Sequence, residues 1–258
     1  MKPVPLSIKP LYGRKLSASD GEIGRVKDFY FEDQRWTLRY VIADTGDWLP
    51  GRLVLLSPYA IGQVNHGDGC LPVNLTRQQI ESSPAIELHR PVPRQYEEAY
   101  HAHFHWPAYW NGGGLWGIGQ YPSEPPRLEA EEQTPSTPAP SKSDDRNLRS
   151  TLAVTGYQIE TSDGMIGKIT DFIVDNYSWL IRHLVIETGH WFAHNEIIMS
   201  PRDVDRVSYE ESKIFLKITK EALLNAPETK LPALGSKGDA TPANTNAQIG
   251  AHHDPALT

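Results

Sequence analysis

Three histidines at alternate positions, His101, His103 and His105, form the most metal-like spacing in this chain. Imidazoles spaced this way share a face only on an extended strand, whereas a helix spreads them around its axis. No nearby cysteine, and no carboxylate at a recognised spacing, completes a zinc-type site. Glu97 and Glu98, just upstream, read equally well as solvated acids at a helix start. The three histidines are weak candidates, and the expectation is that no metal or cofactor is bound. Asp28 and Asp171 are the next possible source of chemistry, because a carboxyl group on a largely apolar face is a candidate perturbed acid. Their recurrence in matching settings favours a shared structural duty, such as accepting backbone amide hydrogen bonds. Asp44 and Glu187 precede Thr-Gly pairs and read as turn residues. His183 reads as a packed core or interface residue, and Cys70, the sole cysteine, as an apolar filler. With one cysteine, no internal disulfide can form. Gly112 to Gly119 is glycine-rich but opens no strand-to-helix unit, so it is not a phosphate cradle. No nucleophile elbow, P-loop or dinucleotide fingerprint occurs. The residue types therefore point away from an enzyme.

The positions that could do chemistry belong to an internal repeat. Asp20-Gly21-Glu22-Ile23-Gly24 is matched by Asp163-Gly164-Met165-Ile166-Gly167, an offset of 143 residues (163 − 20). At the same offset Asp28-Phe29 falls on Asp171-Phe172, Trp36 on Trp179, Arg39 on Arg182 and Thr45-Gly46 on Thr188-Gly189. Trp48 meets Trp191, Ser57-Pro58 meets Ser200-Pro201, Thr76 meets Thr219 and Pro84 meets Pro227. A single gapless register through so many Gly, Trp, Asp and Pro positions marks two copies of one domain.

Each copy reads as short strands. The Asp-Gly pairs are hairpin-turn signals. Alternation puts Val26, Asp28 and Tyr30 on one face, with Ile169, Asp171 and Ile173 as their counterparts. The runs Trp36 to Asp44 and Trp179 to Glu187 are apolar on both faces, as in a strand with little exposure. Further strands are expected at Leu53 to Leu56, Ala60 to Val64 and Leu71 to Leu75. Their counterparts are Ile197 to Met199, Val204 to Val207 and Ile214 to Ile218. Thr76 with Gln79 has capping-box spacing, and Thr219 caps in the same way. Each copy thus ends in a short helix stopped by proline. Five or six strands and one helix in about 75 residues suggest a small closed barrel, since closure removes exposed edges.

The segments Leu11-Tyr12-Gly13 through Asp28 and Val154-Thr155-Gly156 through Asp171 resemble the opening of a PRC-barrel domain. The strand ending in Thr-Gly and the terminal Thr-helix-Pro fit the same family, so the resemblance covers residues 11–84 and 154–227. It implies two small β-barrels, each with a short C-terminal helix. The family includes the cytoplasmic barrel of the photosynthetic reaction-centre H subunit and the C-terminal domain of the ribosome-maturation factor RimM. In both, the barrel is an assembly or docking module. The resemblance therefore implies a non-catalytic interaction module. Its alternatives are an RNA- or ribosome-associated accessory protein, or a reaction-centre H-like assembly protein without the membrane anchor.

The expected organisation is a first domain at 1–84, an aromatic and His-rich linker at 85–121 and a disordered Pro, Ser and acidic linker at 122–150. A second domain at 151–233 and a disordered tail at 234–258 follow. In the aromatic linker Trp106, Tyr109, Trp110 and Trp116 are the expected anchors. They act either as a clamp across the barrels or as a docking surface, because Trp and Tyr dominate binding hot spots. The net charge of −7 disfavours broad nucleic-acid binding. No apolar run reaches the roughly 18 residues that span a bilayer, and Met1 to Pro10 holds three prolines and no apolar h-region. A protein partner, with self-association as one form of it, and a soluble cytoplasmic setting are the expectations.

Overall fold

The computed structural model describes residues 4–64, 69–84, 92–122, 148–189 and 196–226. Trp191, Pro227, the tail at 234–258 and all of the expected disordered linker except Pro122 and 148–150 lie outside the described residues. The elements are β1 (Pro5–Ser7), β2 (Lys15–Ala18), β3 (Gly21–Glu32), β4 (Thr37–Asp44), β5 (Leu53–Leu56) and β6 (Cys70–Pro72). Then come α1 (Arg77–Glu81), α2 (Arg94–His103), β7 (Leu148–Ser150), α3 (Thr151–Val154), β8 (Gln158–Thr161) and β9 (Gly164–Asp175). The chain finishes with β10 (Ile181–Thr188), β11 (Glu196–Met199), β12 (Val204–Ser208), β13 (Lys213–Leu216) and α4 (Lys220–Asn225). Among the described residues no helix is long and apolar enough to cross a membrane.

The protein is mostly β, with two sheets that repeat one topology. The first runs β5-β4-β3-β2-β6 and the second β11-β10-β9-β8-β13-β12. In each, a long antiparallel hairpin (β3–β4 or β9–β10) forms the centre, and β2 or β8 pairs parallel with β6 or β13. The repeat motif exists because of these contacts. A Cβ on Gly24 would lie 2.0 Å from the Asp44 carbonyl oxygen, and one on Gly167 would lie 2.2 Å from that of Glu187. Only glycine lets the two strands approach this closely. Asp20 and Asp163 each accept a bond from the first amide of the copy's last helix, Arg77 at 2.8 Å and Lys220 at 2.9 Å. The capping box of Thr76 and Gln79 is complete, and Thr219 accepts from the Ala222 amide.

Two expectations about the strands need correction. A bulge between Val26 and Asp28, repeated between Ile169 and Asp171, interrupts the alternation. Val26 and Phe29 both enter the core while Asp28 turns to a different neighbour, so Val26, Asp28 and Tyr30 do not share one regular face. Ala60 to Val64 is not a strand either. Pro58–Ala60 forms a 3-10 turn and only Ile61 bridges to Val73. The opposite residue in the first copy is Pro72, which has no N–H to continue a ladder. Its counterpart Phe215 does, and there β12 pairs with β13.

The two copies exchange strands. β1, which precedes the first copy, pairs with β9 of the second, and β7, which precedes the second, pairs with β3 of the first. Leu148–Ser150 is therefore a strand and not part of a disordered linker, because its amides complete the edge of β3. A second contact lies between the copies where Thr37 bridges Leu180. There the Leu38 amide donates to the Trp179 carbonyl at 2.9 Å and the Ile181 amide to that of Trp36 at 2.7 Å. Thr37 and Leu180 are repeat counterparts, so a pseudo-twofold axis passes between them. Trp36 and Trp179 adopt positive φ, 50° and 58°, an uncommon conformation for bulky residues that occurs at the same place in both copies. Most of the buried apolar side chains of both copies form one continuous core.

Candidate interaction surface

Asp28 and Asp171 are spent on joining the copies. Asp28 accepts from the Phe29 amide at 2.7 Å and the Leu152 amide at 3.2 Å. It also accepts from the hydroxyls of Ser150 at 2.5 Å and Thr151 at 3.1 Å. Asp171 accepts from the Phe172 amide at 2.7 Å, the Lys9 amide at 3.0 Å and the Ser7 hydroxyl. Ser7 and Ser150 are repeat counterparts, so each copy's lead-in serine bonds the other copy's aspartate. Burial raises both aspartates above the ordinary carboxylate range despite these donors. Asp44 keeps a turn role, accepting from the Gly46 amide at 3.1 Å.

The aromatic segment folds onto one face of the first copy, and α2 carries its inner row. Tyr100 donates its hydroxyl to the Leu55 carbonyl at 2.5 Å. Glu97, expected as a solvated acid, is only 2% exposed, because Tyr40, Tyr109 and Arg94 converge on it. Tyr40 and Tyr109 donate to its Oε1 at 2.9 and 2.6 Å, and Arg94 pairs with Oε2 at 2.9 Å. Burial raises Glu97, an effect only partly offset by Arg94 and the two tyrosine hydroxyls. His101, equally buried, lies next to it. Its Nδ1 faces the Pro107 carbonyl at 3.0 Å, so that nitrogen carries the proton, and Nε2 faces the Tyr40 hydroxyl at 3.1 Å. Burial lowers His101 to about 4. Nδ1 is thus bonded within the protein, while Nε2 and Glu97 Oε1 both face the single Tyr40 hydroxyl proton. The candidate metal triad is not assembled: His101 is buried near the end of α2, while His103 and His105 are exposed.

The segment's other anchors surround Arg39. This guanidinium is wholly buried, pairs with Glu32 at 2.5 Å and donates to the Leu115 carbonyl at 2.8 Å. It lies 4.0 Å from the Tyr109 ring centre and 4.8 Å from that of Trp116. Trp116 donates its indole N–H to the Ser178 carbonyl of the second copy at 2.7 Å, so the segment spans both copies. Of the four expected anchors, Tyr109 and Trp116 are buried, whereas Trp106 and Trp110 are half-buried. Trp106 stacks on Tyr59 and Phe104, and Trp110 lies beside His101 and under Arg94.

Among the described residues nothing fills the equivalent face of the second copy. There Asp33–Trp36, Leu180–His183, Ser200–Arg202, Val204–Val207 and Tyr209 line a groove of about 690 Å³. Its Arg182 is the counterpart of Arg39 and keeps the pairing, since Asp175, the counterpart of Glu32, accepts from it at 3.0 Å. The Arg182 side chain is 47% exposed where that of Arg39 is 0%. For Asp175, burial acts upward, but the Ser178 and Tyr177 amides and Arg182 together hold it below the usual range. His183 stands where Tyr40 does, Arg202 where Tyr59 does and Arg35 where Ser178 does, all lining the groove. The Arg39–Arg182 match was visible in the repeat. That one arginine is sealed and the other open was not, because nothing in the repeat says which face the linker covers. Comparison of the chain with protein-family models and with curated proteins finds no match.

Proposed function

We propose that this chain is a non-catalytic interaction or assembly module built from two PRC-barrel-like units. The observation that carries this reading is the inequality of two equivalent faces. One is filled by the chain's own aromatic segment and the other is a groove of about 690 Å³. The groups most suited to acid–base work, Asp28, Asp171, Glu97 and His101, are buried and bonded internally, which suits a scaffold better than a catalyst. In this reading the aromatic segment is a clamp, and the groove is where a partner protein binds. The test is affinity capture from an extract of the source cells with the intact chain as bait, in competition with free chain. A saturable, stoichiometric partner is the expected result. No saturable partner, together with turnover of a small-molecule substrate by the purified chain, would overturn it.

A second reading, an RNA-associated accessory protein, is favoured by one observation: Arg35, Arg182, Arg202 and Arg206 line the same groove. The net charge of −7 opposes it. An RNA-binding assay at low salt separates the two readings.

A further inference from the structure

The filled face of the first copy is a template for what the open face takes. On the filled face the recognition centres on an aromatic ring over the Arg39 guanidinium and a carbonyl accepting from it. Ring and hydroxyl contacts from Tyr40 and Tyr59 to α2 and Trp106 add to these. On the open face the arginine persists as Arg182, but the positions of Tyr40, Tyr59 and Ser178 are taken by His183, Arg202 and Arg35. At the two tyrosine positions the chemistry turns from aromatic to basic. Asp33, one of the acids at the groove, already accepts from Arg149 at 3.0 Å and Tyr209 at 2.7 Å. Arg182 pairs with Asp175 at 3.0 Å, Arg206 lies 3.9 Å from Glu211 and Arg35 donates one N–H to the Gly114 carbonyl at 2.8 Å, so Arg202 and the remaining Arg35 donors are the groups that face a ligand.

From this we infer that the groove binds an acidic segment of a partner protein that carries an aromatic residue, the ring lying over Arg182 and carboxylates meeting Arg202 and Arg35. Guanidinium groups offer flat faces for ring stacking and forked donors for carboxylates, so one row of arginines serves both parts of such a segment. A segment that is only aromatic would desolvate the Arg202 guanidinium with no carboxylate to meet it, which disfavours binding. The inference rests on the module reading above and specifies its ligand.

The probe is a fluorescently labelled glutamate-rich peptide with a central tryptophan, titrated into the full-length chain and followed by anisotropy. Expected is saturable binding. It weakens about tenfold or more when the tryptophan becomes alanine or when Arg202 is changed in Arg202→Glu, in line with the weight of aromatic and arginine hot spots. Lys217→Glu, an equal charge change on an exposed residue of the same copy, retains binding. Arg182→Gln serves as a second groove variant, with folding checked by circular dichroism. Equal binding to wild type and Arg202→Glu would overturn the inference. So would tighter binding of a labelled oligouridine than of the peptide. Dimerisation of the chain that Arg202→Glu abolishes, without peptide binding, would identify a second copy as the occupant and also overturn it. Loss of the peptide result while affinity capture still yields a saturable partner would refute the ligand chemistry and leave the module reading standing.

Discussion

Replacing Ser150 by alanine tests how the two copies are held together. Ser150 does two things: its hydroxyl donates to Asp28 at 2.5 Å, and it accepts from the Ala153 amide at 3.0 Å as the N-cap of α3. A hydrogen bond to a charged group contributes about 1.5–3 kcal/mol, and loss of a serine N-cap costs about 1 kcal/mol. The Ser150→Ala variant should therefore lose about 2.5–4 kcal/mol. For a chain of this size that is a melting shift of about 5–15 °C. Its counterpart Ser7 bonds Asp171 but caps no helix, so Ser7→Ala should lose only about 1.5–3 kcal/mol. Urea unfolding followed by tryptophan fluorescence and by circular dichroism measures both. Because each serine lies in one copy's lead-in and its acceptor in the other copy, the variants should shift one common transition. A loss below about 0.5 kcal/mol, the range of ordinary surface substitutions, would refute the reasoning. Separate transitions, of which only one moves, would also refute it.

Trp116→Ala should cost about 3–5 kcal/mol, the usual range for a buried large aromatic, and more than Trp106→Ala or Trp110→Ala, whose rings are half-buried; thermal melts rank them. His101, with its pKa lowered to about 4, is neutral in the fold and contributes stability that is full above its ordinary value near 6.5 and is lost as pH falls through about 4. Over that window wild type should lose up to about 3 kcal/mol relative to His101→Gln. The subtraction removes the opposite contribution of Glu97, whose raised pKa favours acid, and the constant fields of Arg39 and Arg94. Denaturant midpoints at pH 7.5 and 4.5 check the sign, and parallel pH profiles would contradict it. Gly24→Ala and Gly167→Ala should each destabilise by more than about 1 kcal/mol, because the new methyl meets a backbone carbonyl in both copies; an unchanged midpoint for either would contradict the close-approach argument.

The repeat, most of the strands and the terminal helix caps were legible because Gly, Asp, Trp and Thr recur at one offset and each has a local reason to be there. Gly24 must let Asp44 approach, and Thr76 must cap α1. The strand exchange was not legible. Pro5-Leu6-Ser7 and Leu148-Arg149-Ser150 share only their serine at the repeat offset, and three-residue strands leave no periodicity. The duty of Asp28 as an amide acceptor could be foreseen, but its partners across the copies could not. The β-bulges were invisible because alternation assumes a register that only the partner strand reveals. Glu97 was misread for a related reason. A lone acid in the first turn of a helix ordinarily faces water, and its burial depends on Tyr40, 57 residues away in sequence. The candidate docking face was half visible, as the pair Arg39 and Arg182. What distinguishes them is the path of the aromatic segment, a tertiary choice made by Trp116 reaching Ser178.

Hydrogen–deuterium exchange of the full chain, with and without the partner recovered by affinity capture, tests the central claim most directly. The account predicts slowed exchange in the backbone of Asp33–Trp36, Leu180–His183 and Arg202–Val207, the walls of the groove, with little change beneath the aromatic segment on the first copy. Slowed exchange confined to α2 and the residues around Trp106 and Trp110, with the groove unaffected, would contradict it.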